Sequence, residues 1–516
     1  MLGAVAKRMA LATFFVLLAL RVAAAARLDL FGDEAFYWQC SRRLDWGYAD
    51  HPFMTALLVR LGSSLFGEGT LALRSAFLLL GAATTVVLFC LGRRLVGRDD
   101  ALLGTTASLL LPALALSTFM ALPDVPLVFF ELAGLLAFER ATAQDTPAGK
   151  RLPWWIATGG CAALGLATHA RALLFPAAVC AWMLCCRRGR RQLATAGPWW
   201  GLAVAVVGIV PALLFNREHD FAQWRYQLSE RHAEGATGFG QVIDHLAEQA
   251  AFVTPLLYVA LIVCLLEACR RALRGDDRAG LVASFALVHL GVFWLASPWT
   301  DGAHTSLHWP LPGYLPLFVL LPDVLRRFSA RNVWARRAAV ASWGLAGLVV
   351  LVVVVDLGTR WLGVPYVHRP FAGWSEMTAR AQQHLDAMAA EGQAELPVIV
   401  GDHYYVAAQL ERTLTGGAAT FTLDHPVLTN HGRALQYSIW EQAERGLSTL
   451  AGREVLLVVE WSAVRGRDRA SWDEHLQQRF HELQPLSELS VDVPGGGRKF
   501  SFYRGSIAAE PGRSSR

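Results

Sequence analysis

Charge is what this sequence has least of. Asp, Glu, Lys and Arg make up 17% of its 516 residues, against 54% apolar ones. A water-soluble chain of this length carries more charge, and a mean hydropathy of +0.34 places it among integral membrane proteins. Cysteine is sparse and unpatterned. Of eight cysteines, Cys40 alone falls in a loop expected to face outward, and no CxxC spacing occurs. A disulfide framework and a thiolate zinc site are thereby excluded. Basic stretches interleaved with aromatics are missing too. The arginines form short loop clusters, so the net charge of +5 requires no nucleic-acid partner. Internal repeats and low-complexity tracts are absent.

What the sequence has in place of charge is long apolar runs. A helix crossing a hydrocarbon layer of ~30 Å needs about 20 mostly apolar residues. Eleven segments approach or reach this: Ala6–Ala26, Leu71–Leu91, Ala101–Thr118, Val125–Phe138, Trp154–Thr168, Ala172–Cys186, Pro198–Phe215, Gln249–Ala268, Ala279–Ser297, Trp309–Leu325 and Ala338–Val355. The first is too long for a signal-peptide core and reads as a retained span. Lys7 and Arg8, Arg93 to Arg98, Arg140 to Arg151, Arg187 to Arg191, Arg270 to Arg278 and Arg326 to Arg337 all fall on one side of this arrangement. The excess of basic residues in cytoplasmic loops places that side, and the N-terminus, in the cytoplasm. The loops carrying Asp33, Asp124, His169 and His308 then face outward.

The first outward loop, about 27–70, reads as two short amphipathic helices. The second of them repeats Phe53, Leu57, Leu61 and Leu65 at four-residue spacing, as a helix lying in the membrane interface would. Asp50 with Pro52 behind it suits a helix start. After Val355 the character changes. Residues 356–507 read as an extracytoplasmic α/β domain, with buried strands at Leu396–Val400 and Val455–Val459, helices at Tyr404–Leu414 and Gln436–Leu447, and a hairpin over Leu486–Tyr503. Residues 508–516 read as a disordered tail. The expected fold is thus an α-helical polytopic membrane domain (1–355) followed by a small α/β domain.

Candidate chemistry gathers at the outer rim. Asp33 and Glu34 open the first loop helix, where Asp33 serves equally well as the N-cap of a helix beginning at Ala35. Tyr37, Trp38, Tyr48, Asp50 and His51 supply the stacking faces and hydrogen-bonding groups of a carbohydrate cleft, in which a carboxylate can take a proton from an attacking acceptor. Asp124 stands at the outer end of a span, either as a cap beside Pro126 or as a second carboxylate able to clamp substrate or a divalent metal. Arg74 and Arg171 either snorkel toward headgroups or hold a lipid phosphate, with His169 beside Arg171. His308, before Trp309 and Pro310, is a further substrate contact. Asp402-His403-Tyr404-Tyr405 forms a polar and aromatic cluster that a strand-to-helix turn would use in any case.

Asp33-Glu34-Ala35-Phe36-Tyr37-Trp38, Trp46 to Pro52, Leu73-Arg74-Ser75 and Pro123 to Leu127 together resemble bacterial glycosyltransferase family 39. This is the protein-mannosyltransferase-like branch of the GT-C superfamily, similar to transferases that add 4-amino-arabinose or galacturonate to lipid A and core. His308-Trp309-Pro310 and Gln436-Tyr437-Ser438-Ile439-Trp440 fit the same group. The resemblance implies a polyprenyl-phosphate (undecaprenyl-phosphate) sugar donor, a lipid, glycan or protein acceptor, and displacement with inversion at the anomeric carbon. It also implies a catalytic carboxylate at Asp33, a second acidic position at Asp124 and no obligatory cofactor. Thr168-His169-Ala170-Arg171 departs from the lysine-containing turn of many relatives. Two other readings remain open on the sequence: a carrier or flippase for lipid-linked sugars, which needs polar features at mid-membrane, and a catalytically inactive assembly factor.

Overall fold

The structure is a computed structural model that describes residues 4–509 except 112–113, 115–117, 229–237, 300–305, 330–332, 360–368, 392–394, 415–419, 424–431 and 493–495. The expected tail from 510 onward, residues 494 and 495 of the expected hairpin turn, and residues 301–305 lie outside it.

Each of the eleven apolar segments lies at least partly on helix, but by length and composition only Lys7–Arg27, Thr70–Leu95, Ala196–Glu218 and Asp277–Trp299 are single helices able to cross a bilayer among the described residues. Two bent pairs raise that number to six. One of these corrects the expected span Gln249–Ala268. The helix Phe239–Val253 ends at Thr254, whose φ is +77°, and Pro255 opens a second helix at 104° to the first. Proline has no N–H with which to continue the earlier helix, and a β-branched residue at positive φ breaks its hydrogen-bond ladder. The expected span Ala101–Thr118 is likewise interrupted: the helix Arg98–Leu109 ends three residues before Pro112.

The membrane helices share a core of Leu, Val, Phe and Ala drawn from Arg98–Leu109, Asp124–Thr142, Pro255–Leu273, Asp277–Ala296 and Leu311–Ser329. Small residues let backbones touch. A Cβ on Gly104 would stand 2.2 Å from the carbonyl oxygen of Phe318. One polar pair departs from the expectation that charge keeps to the outer rim. Glu131 and His289 are buried within helices Asp124–Thr142 and Asp277–Ala296, with Nε2 of His289 3.4 Å from Oε2 of Glu131. Nδ1 of His289 donates to the Phe285 carbonyl at 2.8 Å, so these two side chains and a backbone group close on one another.

The first outward loop holds the two expected helices, displaced slightly from the sequence reading. Gly32–Arg42 begins three residues before the Ala35 start that a capping role for Asp33 would give it. Phe31 is the N-cap, and Glu34 Oε2 accepts the Phe31 N–H at 2.9 Å. Acidic residues in the first turn and Arg42 in the last complement the helix dipole. The second helix starts at Met54 because residues 47–52 form a tight turn, in which Gly47 bridges Pro52 and Tyr48 N–H donates to His51 O at 2.8 Å. Its Leu57, Leu61, Leu65 and Phe66 side chains point away from the protein, as a helix lying in the interface requires.

The C-terminal region forms a five-stranded sheet: β1 Val398–Gly401, β2 Thr420–Thr422, β3 Glu454–Glu460, β4 Phe480–Val491 and β5 Arg498–Ile507, in the order β2-β1-β3-β5-β4. The pairs β2/β1 and β1/β3 are parallel, and the other two are antiparallel. The strands expected at 396–400 and 455–459 and the hairpin are therefore present. The helix expected over Gln436–Leu447 is instead split into Gly432–Ile439 and Glu444–Leu447 around Glu441, whose φ is +60°. This region and the first loop share a core: Leu30, Phe36, Tyr37 and Cys40 pack with Tyr404, Ala407, Ala408 and Tyr437.

Gly104→Leu is expected to force the helices Arg98–Leu109 and Leu311–Ser329 apart, at a cost of about 1–3 kcal/mol. Thermal unfolding of the purified protein in detergent checks this, and an unchanged melting temperature would contradict the close approach.

Candidate active site

Asp33, in the first turn of Gly32–Arg42, is held from the C-terminal region. The Tyr404 hydroxyl donates to its Oδ1 at 3.0 Å, and Arg433 Nη2 lies 3.2 Å from its Oδ2. Arg433 also reaches Asp50, with Nε 3.4 Å from Oδ2, and its guanidinium covers the rings of Phe36 and Tyr404. Burial works against the charge on Arg433, but Asp33 and Asp50 outweigh it and hold the guanidinium firmly protonated. Burial raises the hydroxyls of Tyr37 and Tyr404 well above their ordinary range, so both act as neutral donors. Asp50 Oδ2 lies 2.6 Å from His51 Nδ1, and the Tyr37 hydroxyl lies 3.3 Å from the same nitrogen.

A second acidic centre lies beside the first. Asp124, the first residue of its helix, accepts Arg171 Nη2 at 2.5 Å on Oδ1 and has His308 Nε2 at 3.1 Å from Oδ2. Arg171 lies over the Trp309 ring, 5.1 Å from its centroid. The turn that carries Arg171 is ordered by its own histidine, since the Arg171 N–H donates to His169 Nδ1 at 3.0 Å. Nδ1 is then the acceptor, so a neutral His169 carries its proton on Nε2. The rings of His51 and His169 meet edge to face at 4.9 Å and join the two centres. A backbone bond from Met54 N–H to Ala167 O, 3.0 Å, holds the same junction.

Asp33, Tyr37, Asp50, His51, Asp124, His169, Arg171 and His308 are thus brought into one continuous cluster. Four other candidates are not. Glu34 and Arg74 are fully buried against each other, with Nε to Oε1 at 2.8 Å and Nη2 to Oε2 at 2.6 Å. Arg74 also donates to the carbonyls of Ala25, Leu28 and Asp29, and these contacts use all five of its N–H groups. The Arg74 expected at a lipid phosphate therefore has no donor left for one, and Glu34 faces inward rather than beside Asp33. Tyr48 is buried, with its hydroxyl on the carbonyls of Cys40 and Arg43. Trp38 turns outward, with Nε1 donating to Glu68 at 2.8 Å. Among the described residues no three His, Cys, Asp or Glu side chains gather to hold a metal ion; Asp33 and Asp124 each face a guanidinium.

The residue that sequence reading missed is Arg433. Its one signal is position: it precedes the Gln436–Trp440 motif by one helical turn, on a helix whose Gln436 accepts the Ala49 N–H and whose Tyr437 donates to Gln39.

A family model described as dolichyl-phosphate-mannose-protein mannosyltransferase matches residues 50–215. The lipid A galacturonosyltransferase RgtD of Rhizobium johnstonii is 29% identical over 354 residues, covering 60% of this chain and 72% of that relative. The crystal structure of ArnT from Cupriavidus metallidurans in the apo state aligns with a TM-score of 0.68 at 15% identity, over 97% of this chain and 98% of ArnT. ArnT bound to undecaprenyl phosphate aligns with a TM-score of 0.65 at the same identity and coverage. The archaeal oligosaccharyltransferase AglB from Archaeoglobus fulgidus aligns more loosely, with a TM-score of 0.52 at 10% identity over 96% of this chain and 74% of AglB. At such identities the solved structures speak for the fold alone. Fold and site together define a multi-pass glycosyltransferase of the GT-C type in the bacterial inner membrane. Within that class the chain is similar in sequence to family 39, the protein-mannosyltransferase-like branch.

Glu34→Ala is expected to destabilise the protein by about 3–5 kcal/mol, because it strands the buried Arg74 guanidinium. Arg74→Leu should do the same from the other side. Thermal unfolding in detergent checks both, and near-wild-type melting of either variant would contradict the closed pair.

Proposed function

We propose that this protein transfers a sugar from a polyprenyl-phosphate donor, of the undecaprenyl kind, to a lipid A, core or other envelope acceptor at the outer face of the inner membrane. The observation that carries the proposal is the continuous rim cluster, in which one carboxylate centre (Asp33, held by Tyr404 and Arg433) and one cation-rich centre (Asp124 with Arg171, His169 and His308) adjoin through two histidine rings. The lipid A galacturonosyltransferase relative and the ArnT–undecaprenyl phosphate complex support the donor and acceptor classes.

The acceptor oxygen attacks the anomeric carbon as the bond from that carbon to the phosphate oxygen breaks, inverting the configuration. Asp33 takes the acceptor's proton, and the polyprenyl phosphate departs with the bonding electrons. Tyr404 and Arg433 orient the Asp33 carboxylate. Arg171, His169 and His308 lie where a departing phosphate gains charge, and preorganised cations and donors act most strongly on charge that develops during the reaction. Glu34 and Arg74 serve this site as the buried support of the Gly32–Arg42 helix.

The same contacts support an orientation. The C-terminal region packs on the first loop, so the two lie on one side of the membrane. The arginine-rich turns lie on the other, which supports a cytoplasmic N-terminus and a periplasmic region 356–507 after an odd number of crossings.

Envelope glycolipids compared by mass spectrometry test this in a deletion strain complemented with wild type or Asp33→Asn. The expected result is a sugar-sized mass restored by wild type, with Asp33→Asn slower by about 10²–10⁴-fold, the usual contribution of a general base. Full restoration by a folded Asp33→Asn protein would remove Asp33 from the mechanism and return the carrier reading.

A further inference from the structure

Asp33 is gripped by two consecutive tyrosines. The Tyr404 hydroxyl donates to Oδ1 of Asp33, while the Tyr405 ring lies against Gly32 so closely that a Cβ there would stand 2.0 Å from the ring. Both tyrosines open the helix Tyr404–Thr413, directly after β1 and the two-residue turn Asp402-His403.

That turn is fully buried and locked by charge. The Asp402 N–H donates to Val458 O at 3.0 Å, and Asp402 Oδ2 accepts the Glu460 N–H at 3.1 Å, so Asp402 is fixed to the end of β3. His403 Nδ1 lies 2.6 Å from Asp402 Oδ1, and its Nε2 lies 3.5 Å from Glu460 Oε2. The imidazole therefore ties the end of β1 to the end of β3. On its other side Glu460 faces Arg498, whose guanidinium sits 3.8 Å above the Trp374 ring. Burial alone would lower the pKa of His403, but Asp402 and Glu460 outweigh burial and raise it. The His403 carbonyl accepts the Ala407 N–H at 3.1 Å, and its ring meets that of Tyr405 at 5.7 Å. Few buried groups have so many fixed partners and so little access to solvent, so the imidazole is placed to position neighbours rather than to touch substrate.

We propose that His403, bracketed by Asp402 and Glu460, is a positioning residue for the sugar-transfer reaction: it fixes the start of the Tyr404–Thr413 helix and thereby aims the Tyr404 hydroxyl at Asp33. The proposal rests on the reading of Asp33 as the carboxylate that serves the acceptor. A misplacement of ~1 Å near reacting groups lowers rates by up to about 100-fold.

The test is a double-mutant cycle on the purified full-length protein. The substrate probe is the total lipid extract of the deletion strain, and the gain of a sugar-sized mass is followed over time. Tyr404→Phe and His403→Gln are each expected to lower the maximal rate about tenfold without moving the extract concentration that gives half of it. The double variant should be no slower than the slower single one, within about twofold, because both act through one hydroxyl. Multiplying losses would overturn the proposal, as would a wild-type rate for His403→Gln. If His403→Gln does not fold, Glu460→Gln, which removes the negative charge facing Nε2, takes its place in the same cycle under the same criterion. Asp33→Asn runs alongside: full activity there sinks the underlying reading, whereas an inactive Asp33→Asn with multiplying losses sinks only the role of His403.

Discussion

The outer rim of this protein depends on one buried ion pair. Glu34 and Arg74 lie in a protein interior beside a bilayer, where an unpaired charge is severely disfavoured, so neither can be satisfied without the other. The pair gathers five chain segments. Arg74 takes carbonyls from the end of the first span and the start of the loop, Glu34 caps the Phe31 N–H, and Glu34 Oε1 accepts the Ala121 N–H just ahead of the helix that begins at Asp124. Once this pair is made, Asp33, one residue away on the helix, is turned about 100° from Glu34, and Asp124 stands a few residues from the same anchor. The support and the chemistry are therefore neighbours in sequence with opposite tasks.

Two other features follow from that anchor. The first-loop helix offers its remaining face to Tyr404, Ala408 and Tyr437, so the C-terminal sheet is joined to the membrane part through the first loop itself. Arg433 then answers the negative charge that this docking brings together, standing between Asp33 and Asp50. Without a cation there, two carboxylates beside buried aromatic rings would repel one another and favour protonation. On the other flank, the tight turn at 47–52 presents His51 to His169, and through it the first loop meets the centre formed by Asp124 and Arg171.

Much of this was legible. The apolar periodicity located helices at each of the eleven segments, and the exposed stripe of Leu57, Leu61 and Leu65 matched an interfacial helix. The runs at 398–401 and 454–460 were recognisable as buried strands because three or more β-branched and aliphatic residues stood in a row. Breaks were harder to see. The bend at Thr254 and the split at Glu441 depend on single residues at positive φ, and nothing in local apolar patterning forces a threonine or a glutamate into that region.

The sequence by itself determined the class of chain: a membrane protein by its scarcity of charge, a side for its basic loops, and a rim rich in carboxylates, histidines and aromatics within family-39-like motifs. The roles of those rim residues were decided only by tertiary structure. Asp33 and Glu34 are adjacent and chemically alike, yet successive helical residues point about 100° apart, so one meets Tyr404 and Arg433 while the other is sealed against Arg74. Arg74 and Arg171 read identically as rim cations, and burial separated them: one has all its donors occupied by protein, the other sits with Asp124 beside two histidines. Arg433 lies 400 residues from Asp33, and no local rule links positions so distant. Their meeting depends on the sheet, the turn at Asp402-His403 and the docking of that whole region onto one short helix.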